Sequence, residues 1–442
     1  MGFWLALAMF GMSNQSGPLT VDEAVRIAEQ NAFSVQISQT RVARNAAAVA
    51  EARGRLGPQV DLNASYTRFD RGTSVPNGSG GTVVVSPIDS KQAGITATLP
   101  IDISSRLSNA VHAARENLNA ARENFAASGN DIKLQARQAF FNVLRSEKLV
   151  VVQQQAVTDA QANLDNVTKL EAQGLSARVD VLRAQAQVQQ SKADLISAQN
   201  SLDIAKAVFN ATLARPIETE VELVDVTELP KQPDDETRLR QLAQSNRPEA
   251  KSLLYTRSAL ADFRKIEAAG LKPSLNLSVG YTRNLNQGQT PYSASATLSL
   301  GWPIFDSGIT RARTEEARQD EIQASIQYAQ LLESISQEVR QALVNLNDAA
   351  QRLEVANTQV TVAEENLRLA QLRFQAGEGI LLQVTDAETS LTQARTGQVS
   401  ARYDYLTAFS QLQRALGTDD VSAQPTNPPV PPTMPLKKEK NS

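Results

Sequence analysis

The chain of 442 residues contains no cysteine and a single histidine, His112. The first absence removes disulfides, thiolate metal sites and thiol nucleophiles, and the second removes any cluster of imidazole ligands. Nothing left in the sequence pairs a nucleophile with a base, so the chain reads as a non-enzyme with no cofactor and no metal. Aromatic residues are scarce at 5% and hydrophobic residues make up 41%, less than a large globular core uses. Charge of one sign is also missing: 44 basic against 47 acidic residues leave −3, with no basic patch to meet a phosphate backbone, so nucleic acid is not an expected partner. Long apolar runs are absent as well. The apolar stretch from Phe3 to about Met12 is too short for a membrane helix and suits the core of an export signal, read here as residues 1–18. It lacks a basic n-region, the first Lys or Arg being Arg26. Any passage through a membrane therefore falls to strands.

What is present is a duplication. Pro100 matches Pro303, Gly174 matches Gly377 and Leu213 matches Leu416, each 203 positions apart, while GPQVDLNASYTR from Gly57 matches KPSLNLSVGYTR from Lys272 at 215. The chain is two copies of one unit that differ by twelve residues in one loop. Repeat 1 spans 19–215 and repeat 2 spans 236–417, with a linker at 216–235 and a Pro-rich, disordered tail at 418–442.

Each copy opens with one helix, Val21 to about Leu56 and Glu236 to about Leu271, set between an N-cap residue and a proline. Two alternating segments follow, expected as strands at about 59–69 and 92–101 and at about 274–284 and 292–302. In them Leu275, Leu277, Val279 and Tyr281 interleave with Asn276, Ser278, Gly280 and Thr282, which is period two. Each copy then runs as helix from about Ser104 to Gln173 or Ser307 to Ala376, a rod on the order of 100 Å. Along the second, Val339, Leu346, Leu353, Val360 and Leu367 recur every seven residues with alanine three places after each, the seam of a closely packed coiled coil. The first copy keeps that seam but with Ser146 and Gln153 in it, which suggests water or a partner there. A glycine turn and a returning helix, Ala177 to Leu213 or Leu381 to Leu416, close each copy.

Strands of about ten residues, apolar on one face and rich in Ser, Thr, Asn and Gly on the other, fit an outer-membrane barrel in contact with lipid. Tyr66, Tyr281, Tyr292 and Trp302 lie towards strand ends, where interfacial aromatics belong. Four strands cannot close a barrel, and an open edge in lipid leaves backbone groups unpaired, so the barrel has to be shared between chains. The loop from Arg71 to Ser90 is Gly/Ser-rich and is expected to be mobile. A soluble or periplasmic structural coiled-coil protein, such as an adaptor subunit, is the competing reading; it explains the rods and leaves the strands unexplained.

The tip RFQAGEGILLQVTDAE from Arg373, the closing QLQRALG from Gln411 and the opening LTVDEAVRIAEQN from Leu19, taken in this order and duplicated, resemble the TolC family of outer-membrane efflux proteins from about Leu19 to Asp420. The resemblance implies a mainly α fold with membrane β: a homotrimer whose twelve strands form one barrel continued by a helical tunnel through the periplasm of a Gram-negative bacterium. It implies a passive exit duct of a tripartite efflux or type I secretion system, docked to a periplasmic adaptor (membrane fusion) protein and an inner-membrane pump of RND, ABC or MFS type. The Gly174 and Gly377 turns become periplasmic hairpin tips that gate the duct, with Leu175, Ser176 and Gly379 as candidate adaptor contacts. Of the two gate carboxylates that the family carries at the second tip, one matches Asp386 and the other falls on Gln383. The basic residue often found two after the glycine falls on Gly379. In the first copy Asp180 is kept, flanked by Arg178 and Arg183, and the expectation is that Asp386 lines a cation-attracting constriction.

Overall fold

The computed structural model describes residues 17–76, 78, 80–86, 88–233, 235–286 and 292–423. All but two residues of the expected export signal, and the Pro-rich tail after 423, lie outside the described residues. The chain forms two compact units, one of Met1–Ile37, Ala127–Arg247 and Ser334–Ser442, the other of Ser38–Ala126 and Pro248–Glu333. Each unit draws on both repeats, so the compact bodies cut across the duplication.

The opening helix of each copy is two helices. α1 (Val21–Asn31) starts at Thr20, whose hydroxyl accepts from the Glu23 N–H at 3.3 Å while Glu23 Oε2 accepts from the Thr20 N–H at 3.0 Å. That reciprocal capping box is worth about 1 kcal/mol over alanine. The helix breaks at Ala32 (φ −59, ψ 132) before α2 (Phe33–Gly54). In the second copy α5 (Glu236–Asn246) breaks at Arg247 (φ −59, ψ 119) before α6 (Pro248–Ala268). The expectation of one helix from Val21 to Leu56, and from Glu236 to Leu271, is corrected. A residue ahead of proline is driven out of the helical region, and Pro248 takes the first position of the next helix, where its missing N–H costs nothing. The first copy makes the same break without a proline.

In the second unit lies a four-stranded antiparallel sheet of β1 (Gln59–Arg68), β4 (Asp89–Ile101), β5 (Ser274–Asn284) and β6 (Tyr292–Gly301), in that order, built from both repeats. The loop expected to be mobile carries a small hairpin of its own, β2 (Thr73–Pro76) with β3 (Thr82–Ser86). Its β-branched residues, Thr73, Val75 and Thr82 to Val85, are the sequence signal for it. The register sorts the sheet by chemistry. Val60, Ala97, Val279 and Ala296 stand in one cross-strand row, and Leu62, Ile95, Tyr281 and Ala294 in another. Between them runs the row Asp61, Thr96, Gly280 and Ser295. One face is therefore apolar and the other polar across all four strands, and the apolar face stays open, with Leu62 75% and Leu298 63% exposed. A soluble sheet would cover such a face. No described helix is long and apolar enough to cross a membrane.

Sharp turns stand where strand gives way to long helix. Ser105 (φ 60) and Ser307 (φ 52) are left-handed, a conformation that costs a non-glycine residue roughly 1–2 kcal/mol. Both are compensated by caps. Asp102 accepts from the N–H groups of Leu107 (3.1 Å) and Ser108 (2.8 Å), and Asp306 from those of Gly308 (3.1 Å) and Thr310 (2.7 Å).

In the first unit one core joins the first opening helix, the first hairpin, the belt and Tyr403 and Leu406 of the second hairpin. α3 (Arg106–Ala172) returns as α4 (Arg178–Thr212), and α7 (Ile309–Gln375) returns as α8 (Leu381–Leu416). On α7, Val339, Ala342, Leu346, Ala349, Ala356, Val360 and Ala363 are buried, as the seven-residue seam requires. On α3, Phe140 is fully buried and packs edge-on to Phe141 and Phe209, with ring centroids 5.8 and 6.2 Å away. The belt segment after Arg215 is tied in by polar groups. Leu19 bridges Leu223 in parallel register, and the hydroxyls of Tyr403 and Tyr405 donate to Asp225 (3.0 Å) and to the Pro230 carbonyl (2.6 Å). The expectation of a disordered tail from 418 is corrected for its first residues: 418–423 are held in place, Asp419 receiving Arg137 at 2.7 Å and Lys133 at 3.1 Å.

Candidate functional site

The two hairpin tips are built alike from the backbone up. Gly174 (φ +73) and Gly377 (φ +75) are left-handed. The Gly174 N–H donates to the Glu171 carbonyl and the Leu175 N–H to that of Leu170; the Gly377 N–H donates to Phe374 and the Glu378 N–H to Arg373. This pairing closes off the last carbonyls of a helix around a left-handed glycine, which is why both tips need one. The tips meet in an apolar cluster of Val167, Val181 and Leu381 with Leu164 and Phe374 against it. Outside that cluster Leu175 and Ile380 are exposed, and Ser176 donates to Asp180 at 3.3 Å.

Gly379 lies close against the backbone of the preceding helix. A Cβ there would meet the Phe374 nitrogen at 3.1 Å and the Arg373 carbonyl carbon at 3.2 Å. A side chain there would need the neighbouring backbone to give by a few tenths of an ångström, although the equivalent position of the first tip accommodates Ser176.

The four gate candidates occupy two equivalent pairs of positions. Asp180 and Gln383 stand 203 apart, as do Arg183 and Asp386, each pair two and five residues into its returning helix. On α8, Gln383 and Asp386 are exposed beside buried Leu381, Val384 and Ala387, so they share the outward face. The first hairpin holds an ion pair there, Arg183 to Asp180 at 3.6 Å, whereas Asp386 has no ion-pair partner among the described residues. The structure thus brings Asp180 and Arg183 together and leaves Asp386 open, with an outward lone carboxylate on one tip and a compensated pair on the other.

The aromatics named from the sequence fall at both ends of the sheet. Tyr281 and Tyr292 stack with centroids 6.2 Å apart, and Tyr66 donates to Asp89 at 2.8 Å. Their register partners place all three at the loop end, where Tyr66 faces Lys91 and Tyr292 faces Arg283. Trp302 lies at the opposite end, its indole N–H donating to the Leu271 carbonyl at 3.1 Å.

One chemically distinctive group escaped the sequence reading. Glu388 on α8 lies against α3, accepting from the Asn163 amide at 3.3 Å. Burial and the nearby Asp159 carboxylate raise its pKa to about 7, against the pull of the Asn163 bond. The available signal was its place directly after seam residue Ala387 and seven residues beyond buried Leu381, where a carboxylate is costly. No group of three or more acidic or histidine side chains able to hold a metal occurs among the described residues.

A two-faced four-stranded sheet joined to paired long hairpins defines an outer-membrane channel with a helical extension. Comparison with known proteins agrees. The model of the family described as outer membrane efflux protein matches residues 24–214 and 239–418. The outer membrane protein TolC of Vibrio cholerae is 25% identical over 396 residues, covering 87% of each chain. The cobalt-zinc-cadmium resistance protein CzcC of Cupriavidus metallidurans is 24% identical over 412 residues, covering 91% of each. Among solved structures, CusC superposes with a TM-score of 0.78 at 19% identity, covering 90% of this chain and 92% of the other. The chain belongs to the outer membrane efflux protein family. It is an outer-membrane exit channel of the efflux and secretion type in a Gram-negative bacterium, and the competing reading as a soluble coiled-coil or adaptor subunit is set aside.

Proposed function

We propose that three copies of this chain form one duct, in which three four-stranded sheets close a twelve-stranded barrel and the hairpins of all three build a tunnel gated at the six tips. The observation that carries the reading is the sheet itself. Its outer strands β1 and β6 each leave one edge unpaired among the described residues, and lipid tolerates no such edge. The duct is passive: it draws energy from an inner-membrane pump of RND, ABC or MFS type and meets it through a periplasmic adaptor at Leu175, Ser176 and the Gly379 turn. Cargo is selected by the pump.

At the gate, three Asp386 carboxylates would face the lumen together with three Arg183 and three Asp180 at the equivalent positions of the first tips. Asp180 and Arg183 offset one another, so the net charge of the ring is set by Asp386. Three unpaired carboxylates in a narrow throat focus a field that attracts cations, and Gln383 dilutes it by withholding a second ring. Planar-bilayer recording tests this. The purified protein is expected to give uniform, cation-selective channels whose selectivity falls in Asp386→Ala and rises in Arg183→Ala. Absence of channels would overturn the duct, and unchanged selectivity in both variants would overturn the gate assignment.

A further inference from the structure

The first hairpin's seam contains Gln153 where the second has alanine, and the structure gives that polar position a context. Gln153 lines a crevice of about 470 Å³ between the hairpins, walled by α3, α4, α7 and α8. A void of this size with polar lining has room for many waters. Its floor is mixed, with Leu367 and Leu391 beside Asp159, Asp194 and Glu388.

The charges facing the crevice are unbalanced. From α3 comes Asp159, which accepts from Gln155 at 2.8 Å, and from α4 comes Asp194, which accepts from Gln190 at 3.0 Å. α7 contributes Leu367 to the lining and no charge. α8 contributes Glu388 and one cation, Arg395, whose guanidinium is already engaged by Glu364 of α7 at 3.0 Å. Among the described residues, the Glu388 carboxylate is left with a single neutral donor, the Asn163 amide across the hairpin interface. A charge in that position is poorly compensated: one neutral hydrogen bond does not replace its lost hydration, and Asp159 repels it.

We propose that Glu388 is a proton-operated latch between the two helical hairpins, closed when the carboxyl is neutral and released when it ionises. Neutral Glu388 keeps its bond to Asn163 and needs no further water, so α8 can settle against α3. Ionised Glu388 draws water into the crevice and pushes away from Asp159, loosening the contact between hairpins. The raised pKa places this transition within the range a periplasm open to its surroundings can experience. The sign follows from linkage. Between the ordinary glutamate value and about 7 the folded state binds the extra proton, so the packed arrangement loses stability as pH rises through that window. The consequence for transport, a duct that tightens on acidification, rests on the exit-channel reading; the movement of the hairpins does not.

The test exploits the absence of cysteine. Spin labels at Gln155→Cys on α3 and Gln393→Cys on α8, in the full-length protein purified in detergent, report the hairpin separation from about pH 5.5 to about pH 8.5. The expected result is a separation that grows with a midpoint near 7. That response is expected to be lost in Glu388→Gln, which stays at the short distance throughout, and to move to a lower midpoint in Asp159→Asn. A labelled Glu388→Gln protein that follows the same pH curve as its parent, or a parent whose distance does not change, would overturn the latch. Conductance recorded over the same range separates the two ideas. Silent bilayers alongside an intact distance change would count against the channel and for the latch. A working, pH-insensitive channel with unmoved labels would count the other way.

Discussion

The two hairpins differ in chemistry while agreeing in backbone. Both end on a left-handed glycine with the same pair of hydrogen bonds, and both bury a seven-residue seam. Yet the second seam is almost entirely apolar, while the first admits Ser146 and Gln153. At the gate positions the first tip carries the compensated pair Asp180 and Arg183, the second the lone Asp386. The difference teaches that duplication preserved what geometry demands and released what it does not. Glycine at the turn is favoured because its left-handed backbone costs any other residue roughly 1–2 kcal/mol, whereas an outward position two or five residues into the returning helix is free to change sign.

The comparison can be broken most forcefully in the seam. Leu346→Ala empties a fully buried position of the second hairpin and is expected to cost about 2–5 kcal/mol. Val150→Ala, at a half-buried seam position of the first, is expected to cost clearly less. Thermal melting of the detergent-solubilised proteins compares them, and equal losses would mean the polar entries do not mark a looser seam. Next comes the turn. Gly174→Ala and Gly377→Ala each force a left-handed alanine, for about 1–2 kcal/mol, and the two should match closely in the same melts. Unequal losses would show that the tips are less alike than their backbones.

A smaller effect sharpens the account of the belt. Burial works against ionisation of Asp419, but the Arg137 and Lys133 partners outweigh it and hold its pKa below the ordinary value. A carboxylate with a depressed pKa stabilises the fold above its unfolded value, and that contribution disappears as pH falls through the folded one. Asp419→Asn should therefore lower stability near neutrality by at most about 1 kcal/mol, since the group is half exposed, and should match the parent in acid. A loss that persists in acid would mean that the side chain acts by packing. Arg183→Ala and Asp386→Ala, both exposed, are expected to leave melting unchanged and to shift only ion selectivity, in opposite directions.

Much of this was legible in the sequence because it is periodic. Period two gave the strands and period seven the seams, and the constant spacing of 203 between Gly174 and Gly377 exposed the duplication. What was missed depends on single residues acting against the pattern. The break at Arg247 was signalled by Pro248, but the matching break at Ala32 has no such mark; there Ala32 is buried and the Gln36 amide donates to the Asn31 carbonyl at 2.9 Å. The β2–β3 hairpin was hidden by the glycines around it. Glu388 closes the tip motif without standing out in the sequence, since its burial arises from α3, more than two hundred residues earlier in the chain. Asp386 and Gln383 follow from the family resemblance, whereas the pairing of Arg183 with Asp180 is a property of the folded helix.

The central claim is that a sheet with two unpaired edges is completed by other copies of the same chain. The mass of the detergent-extracted protein, measured by light scattering with the detergent contribution subtracted, tests it most directly. A particle of three times 47.8 kDa is the predicted result. A monodisperse monomer that still conducts ions would contradict it.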